Sequence, residues 1–146
     1  MPLANIATLK SDILKMMNEP PENEAGAIEG WGKAISNWLG SAVIPPGAAA
    51  AKVQIETAVK GALVGMSAPG AGSLAIPNAF LAGAGALATS PANAPGVAVP
   101  PPLPLPLALG APLEADPVAT LIASTAASWF IAGTYTVPGA SPVPWS

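Results

Sequence analysis

Carboxylates, hydroxyls and five lysines are the reactive side chains this 146-residue sequence offers, because His, Cys and Arg are absent. There is accordingly no imidazole base, thiol nucleophile, zinc cluster, disulfide framework or guanidinium clamp. Glu19, Glu22 and Glu24 sit close enough in sequence to gather around calcium, but the twelve-residue EF-hand spacing is missing. A solvated acidic turn that favours the next helix N-terminus accounts for them. Glu114 and Asp116 form a carboxylate pair without a partner of another type, so helix capping by Asp116 is the expected role. Ser124 and Thr125 have no His base, and every lysine lies in the first 60 residues. The glycine-rich runs at 70–72 and 83–85 lack the lysine of a phosphate loop. Ala79 and Gly83, like Ala82 and Ala86, instead let helices approach closely. The expectation is a non-enzymatic chain with no cofactor, no metal and no small-molecule substrate.

The elements that carry these residues are punctuated by proline. Leu3, Ile6, Leu9, Ile13 and Met16 or Met17 recur at intervals of three and four, which predicts an amphipathic helix over 3–17, ended by Pro20-Pro21. Ile28, Trp31, Ile35, Trp38, Leu39 and Ala42 predict a second over 24–42, with Glu29 and Lys33 paired on its outer face. A third, 48–66, turns Ile55, Val59, Ala62, Leu63 and Met66 inward and Lys52, Glu56 and Lys60 outward. Pro77 is expected early in a fourth helix that runs to Thr89. Asp116 followed by Pro117 reads as an N-cap with Pro at the first helical position, opening a fifth helix to Gly133.

The helices repeat. Seventeen residues after Pro21, Pro69 and Pro112 stand Trp38, Ala86 and Trp129, followed by Leu39, Leu87 and Phe130. LKSDILKMM at 9–17 also resembles VKGALVGM at 59–66. Units of this length suit helix-pair repeats, and three would pack as a bundle around one core. The fold class expected is therefore mainly α: a small bundle of helix-pair repeats, with a Pro/Leu-rich extended segment and an extended C-terminal tail. Residues 1–134 form the domain, including a strap at 95–112, and 135–146 the tail.

The strap takes the place of the third unit's first helix. Prolines at 100, 101, 102, 104 and 106 forbid an α-helix and a central strand, leaving polyproline II or β backbone. Leu103, Leu105, Leu107 and Leu109 alternate along it, and an extended chain would aim them at one face. Trp31 and Trp38 are seven apart on one helical face and read as core anchors. Trp129 and Phe130 are adjacent, so one of them is expected to meet another element or subunit. The tail that Tyr135 opens ends in an apolar run carrying Trp145, which suits an anchor in a neighbour's pocket. Leu103, Leu105, Leu107, Leu109, Trp129, Phe130, Tyr135 and Trp145 are the candidate interface residues.

Charge is distributed unevenly. The net charge is −3, and from Gly61 to Ser146 only Glu114 and Asp116 are charged. Five lysines against eight acids exclude nucleic acid as a partner by counterion release. A free domain carries about a quarter charged residues, so a stretch this poor in charge is expected to be covered by other subunits or by a membrane. Disorder does not fit, because disordered chains are charge-rich and poor in apolar residues. Val118–Val137 is long enough to span a bilayer, but it holds several hydroxyls and has no flanking Lys or Arg. Assembly is therefore preferred to membrane insertion.

LKSDILKMMNEPP, a Trp-bearing helix, a VIPPG exit, an Ala-rich helix and a terminal PVPWS together resemble small Ala/Pro-rich virion structural proteins of tailed bacteriophages. The likeness runs over most of the chain. It implies a virion location and a homo-oligomeric particle subunit of tail, baseplate or neck, whose partners are copies of itself and other virion proteins. A capsid decoration protein is the alternative, and a membrane-inserting protein using 118–137 the alternative from another class.

Overall fold

The computed structural model describes residues 6–65, 72–106 and 114–146 of the chain. Five α-helices dominate: α1 Ile6–Asn18, α2 Glu24–Gly40, α3 Lys52–Leu63, α4 Gly72–Ala88 and α5 Ala115–Phe130. A small antiparallel sheet joins them, with β1 Val97–Val99, β2 Thr134–Thr136 and β3 Val143–Pro144 in that spatial order. The protein is thus a small helical bundle, as the periodicity implied.

Local chemistry explains where the helices begin and end, and corrects three expected boundaries. Asn23 caps α2, its side-chain oxygen accepting the Gly26 N–H at 2.8 Å. α3 starts at Lys52 rather than 48, because residues 46–50 are spent in a turn after Pro45. α4 begins at Gly72, upstream of the expected start, and carries Pro77 inside it. Proline's fixed φ is compatible with helix, but at the sixth position of α4 Pro77 gives up a bond to the residue 73 carbonyl and crowds that carbonyl with its ring. At α5 the cap position is Glu114, without a side-chain cap bond. Asp116 lies instead within the first turn, where it complements the helix dipole and pairs with Lys10 at 3.2 Å. Pro117 is tolerated there because the first N–H groups of a helix have no internal acceptor.

Sequential pairing holds for α1 with α2 and for α3 with α4, while α2 also packs on α3 and α4. α5 follows the proline-rich segment and packs on α1. The small residues act as expected at Gly83: a Cβ there would come within 2.5 Å of Leu39 Cδ1 and 2.8 Å of Val59 Cγ2. α4 can approach α2 and α3 that closely only without a side chain.

One core runs through all five helices and into the segment after them. Its centre is a relay of rings. Trp129 meets Phe80 at 6.2 Å, Phe80 meets Trp38 at 5.8 Å, Trp38 meets Phe130 at 5.5 Å, and Phe130 meets Trp145 at 5.0 Å. These separations suit edge-to-face and tilted packing. The Trp38 indole N–H is buried among these rings without an oxygen or nitrogen partner among the described residues.

The expected outreaching tail is corrected here. Residues 135–146 fold back: Pro138 and Gly139 turn the chain, with Gly139 at φ +81 and the Ala140 N–H donating to the Val137 carbonyl at 3.0 Å. Proline followed by a residue at positive φ is what a type II turn requires. The return strand brings Trp145 into the core at 0% exposure, where its indole N–H donates to the Thr134 carbonyl at 2.9 Å. A Cβ on Gly133 would lie 2.5 Å from that indole, so the bare backbone makes the room. Ser146 clips the end to the α2–α3 connection, accepting from the Val43 and Ile44 N–H groups at 2.7 and 3.0 Å.

No helix among the described residues is long and apolar enough to cross a membrane. The stretch 118–137 is not one helix: α5 stops at Phe130 and β2 follows.

Candidate functional site

Of the eight residues expected at an interface, Leu105, Trp129, Phe130, Tyr135 and Trp145 are buried within the chain's own core. A side chain already packed inside its own subunit is not free to enter a neighbour's pocket, so these five are corrected to structural roles. Leu107 and Leu109 lie outside the described residues. Leu103 alone remains at the surface, 70% exposed. The expectation that the strap's leucines share a face also fails between Leu103 and Leu105. Polyproline backbone has three residues per turn, so positions two apart diverge, and the chain bends at 102–103. The strap is held through its backbone, the Trp129 indole N–H donating to the Leu103 carbonyl at 2.7 Å.

The small sheet has two faces that differ. Val97 pairs with Thr136, Ala98 with Tyr135 and Val99 with Thr134; Thr134 pairs with Pro144 and Tyr135 with Val143. Directly paired residues share a face, so Ala98 and Tyr135 point together toward the core. Val97, Val99, Thr134, Thr136 and Pro144 then share the outer face. Val97 is 63% and Val99 51% exposed. None of these residues is acidic or basic, nor is any residue from Val97 to Pro106 or from Thr134 to Pro144. The result is an apolar, hydroxyl-dotted surface without charge.

A buried polar clasp fixes this sheet to the helices. The Asn93 side-chain oxygen accepts the Gly47 N–H at 2.8 Å, and its amide nitrogen donates to the Leu87 and Ala88 carbonyls at 2.7 and 3.3 Å. The Tyr135 hydroxyl donates to the Asn93 carbonyl at 2.6 Å, and the Ser90 hydroxyl to the Gly47 carbonyl at 3.3 Å. One residue thus ties three parts together, its side-chain amide joining the end of α4 to the Pro46-Gly47 turn and its backbone carbonyl holding β2 through Tyr135. Sequence reasoning missed Asn93. The available signal was that it is the sole Asn or Gln from Ala79 to Ser146.

Charge is gathered elsewhere. Lys60 of α3 reaches Glu29 of α2 at 2.7 Å and Glu56 at 2.6 Å, while Glu29 also meets Lys33 at 3.1 Å. The Lys60 ammonium, then that of Lys33, holds the Glu29 carboxyl below its ordinary range, and Glu29, then Glu56, raises Lys60. Asp12, Lys15, Glu19 and Lys33 border an open hollow of ≈ 290 Å³ between α1 and α2. Its two signs balance, and Lys33 is already engaged by Glu29. Glu19, Glu22 and Glu24 stay in the α1–α2 turn and first turn of α2, and no group of three or more potential ligands among the described residues could hold a metal ion.

No protein-family model matches the chain, and no curated protein or solved structure matches it either.

Proposed function

We propose that this chain is a non-enzymatic assembly subunit, a virion structural protein of a tailed bacteriophage that works by apolar packing against copies of itself and against other virion subunits. The observation that carries the assembly part is the uncharged outer sheet face, where Val97 and Val99 are each more than half exposed. Adjacent β-branched residues exposed on a rigid sheet are costly to leave solvated, and burying them against another surface returns that free energy. The virion part is supported by the resemblance of LKSDILKMMNEPP, VIPPG and PVPWS to small Ala/Pro-rich particle proteins. Tail, baseplate or neck is the favoured position.

Light scattering of the purified chain over a concentration series, with and without detergent, tests assembly. An oligomer that forms without detergent is expected. A monomer at every concentration rejects the proposal. Peptide mass spectrometry of gradient-purified particles tests the location: the chain should be present at fixed stoichiometry with other particle proteins, and its absence rejects the virion reading.

A further inference from the structure

We infer that the sheet is sealed at both edges against an added strand, with Pro142 and Pro144 holding one of the seals, so that partners of this chain meet its side chains and do not extend its ladder. The inference is independent of the assembly reading, because it concerns the route a contact can take and not whether one forms.

Hydrogen-bond direction shows which residues face each edge. The Trp145 N–H donates to the Gly133 carbonyl at 2.9 Å. Thr134 lies opposite Pro144 and Tyr135 opposite Val143, so bonding alternates along β3 and places Val143, like Trp145, toward β2. Positions 142, 144 and 146 therefore point away from β2, along the outer edge of β3. Pro142 and Pro144 are exposed, so this edge lies at the surface, and neither has an N–H. The third residue, Ser146, donates its N–H to the Ile44 carbonyl at 2.9 Å. No donor from 142 to 146 is left for another strand. The prolines also alternate with the ladder: Val143 and Trp145, whose N–H groups are needed by β2, are not proline.

The β1 edge follows from the same alternation. Tyr135 faces β3, so Thr134 and Thr136 face β1 and bond with Val99 and Val97, which turns positions 96, 98 and 100 outward. The Gly96 N–H donates to the Asn93 carbonyl at 3.0 Å, and Pro100 has none. Ala98 alone of the three offers a donor to this edge, and Pro101 and Pro102 prolong the gap beyond it.

A strand laid on either edge would find its own carbonyls unanswered, and each one buried without a donor is costly. Charged side chains, a common guard of exposed edges, are missing from Val97 to Pro106 and from Thr134 to Pro144. An uncharged sheet with exposed valines would otherwise template open-ended ladder growth. Withholding the donors removes that route while leaving the side chains free to make contacts.

The test uses the full chain. The double variant Pro142→Ala/Pro144→Ala restores two edge N–H groups without adding apolar bulk. Starting from a wild-type circular dichroism spectrum, it should form thioflavin-binding assemblies about tenfold faster than wild type, by light scattering over time. Pro138→Ala loosens the turn of the same hairpin but adds no donor to the β3 edge, and it should match wild type. A double variant no faster than Pro138→Ala overturns the role of the two prolines. For wild type itself, a peptide copying residues 133–137, added in large excess, should leave amide exchange at Ala98 and in β3 unchanged. Protection of those amides by the peptide overturns the seal. Each comparison is made against wild type under the same conditions, so it reads equally well from a monomer or an oligomer.

Discussion

The α2–α3 seam and the sheet end of the molecule solve the same problem with opposite means. At the seam, Glu29, Lys33, Glu56 and Lys60 form a half-exposed network over apolar residues such as Ile35, Ile55 and Val59. At the sheet, joining is done by Asn93, Tyr135 and Trp145, buried and uncharged. Exposed ion pairs are worth little because water screens them, whereas a buried, satisfied amide or indole is costly to remove. The charged end therefore carries the water-facing surface, and the uncharged end carries more of the specific tertiary structure. It also explains how a stretch with two charges forms part of one subunit: large apolar residues among those described, including Ile76, Phe80, Leu87, Ile122 and Phe130, go into the shared core. On the exposed side of α5, hydroxyls such as Thr120 and Ser124 take the place of charge, each also bonding back to the preceding turn.

Trp145→Ala should show the contrast at its largest. It empties a fully buried site beside Phe130 and releases the return strand, with an expected loss of about 3–5 kcal/mol in urea unfolding. A loss within about 0.5 kcal/mol, ordinary for a surface substitution, would mean the segment after Gly133 is not part of the core. Asn93→Ala comes next. It strands the buried Gly47 N–H and takes one bond each from the Leu87 and Ala88 carbonyls, for about 1–3 kcal/mol. Amide hydrogen exchange should then accelerate at Gly47 and in β1–β2 before it does in α2, and uniform acceleration would deny the clasp a local role.

Glu29→Gln should have the smallest effect, and one that depends on pH. The Glu29 carboxyl is held below its ordinary 4.5, so its stabilising contribution is present above about that pH and is lost as pH falls through the lowered value. Lys60 is raised above 10.5, so its contribution is present below that pH and is lost as pH rises through the raised value. Thermal melts of the variant should therefore sit slightly below wild type near neutrality and converge with it in acid. A constant offset at every pH would assign the difference to packing and remove the network from the comparison.

Much of this was legible in the order of residues. The three-and-four spacing of Leu9, Ile13, Ile35 and Leu39 is satisfied within single helices, so local periodicity specified both the helices and their inward faces. The prolines at 20–21 and 45–46 act on their own backbone neighbours, which is why the breaks could be read directly. Leu105 and Trp145 could not be placed that way. An apolar residue on an extended chain needs cover, but sequence alone does not say whether its own subunit or a neighbour supplies it, and here Phe130 and the bare backbone of Gly133 supply it from within. Asn93 was unreadable for a related reason: its partners at Gly47 and Tyr135 are more than forty residues away in sequence. What the residues determined by themselves was every feature fixed by contacts a few positions apart, including the helices and their stops, together with the scarcity of charge beyond Lys60. Only the tertiary structure decided which uncharged side chains close the core and which, Val97, Val99 and Leu103 among them, are left facing outward, because that choice depends on long-range packing around a shared centre.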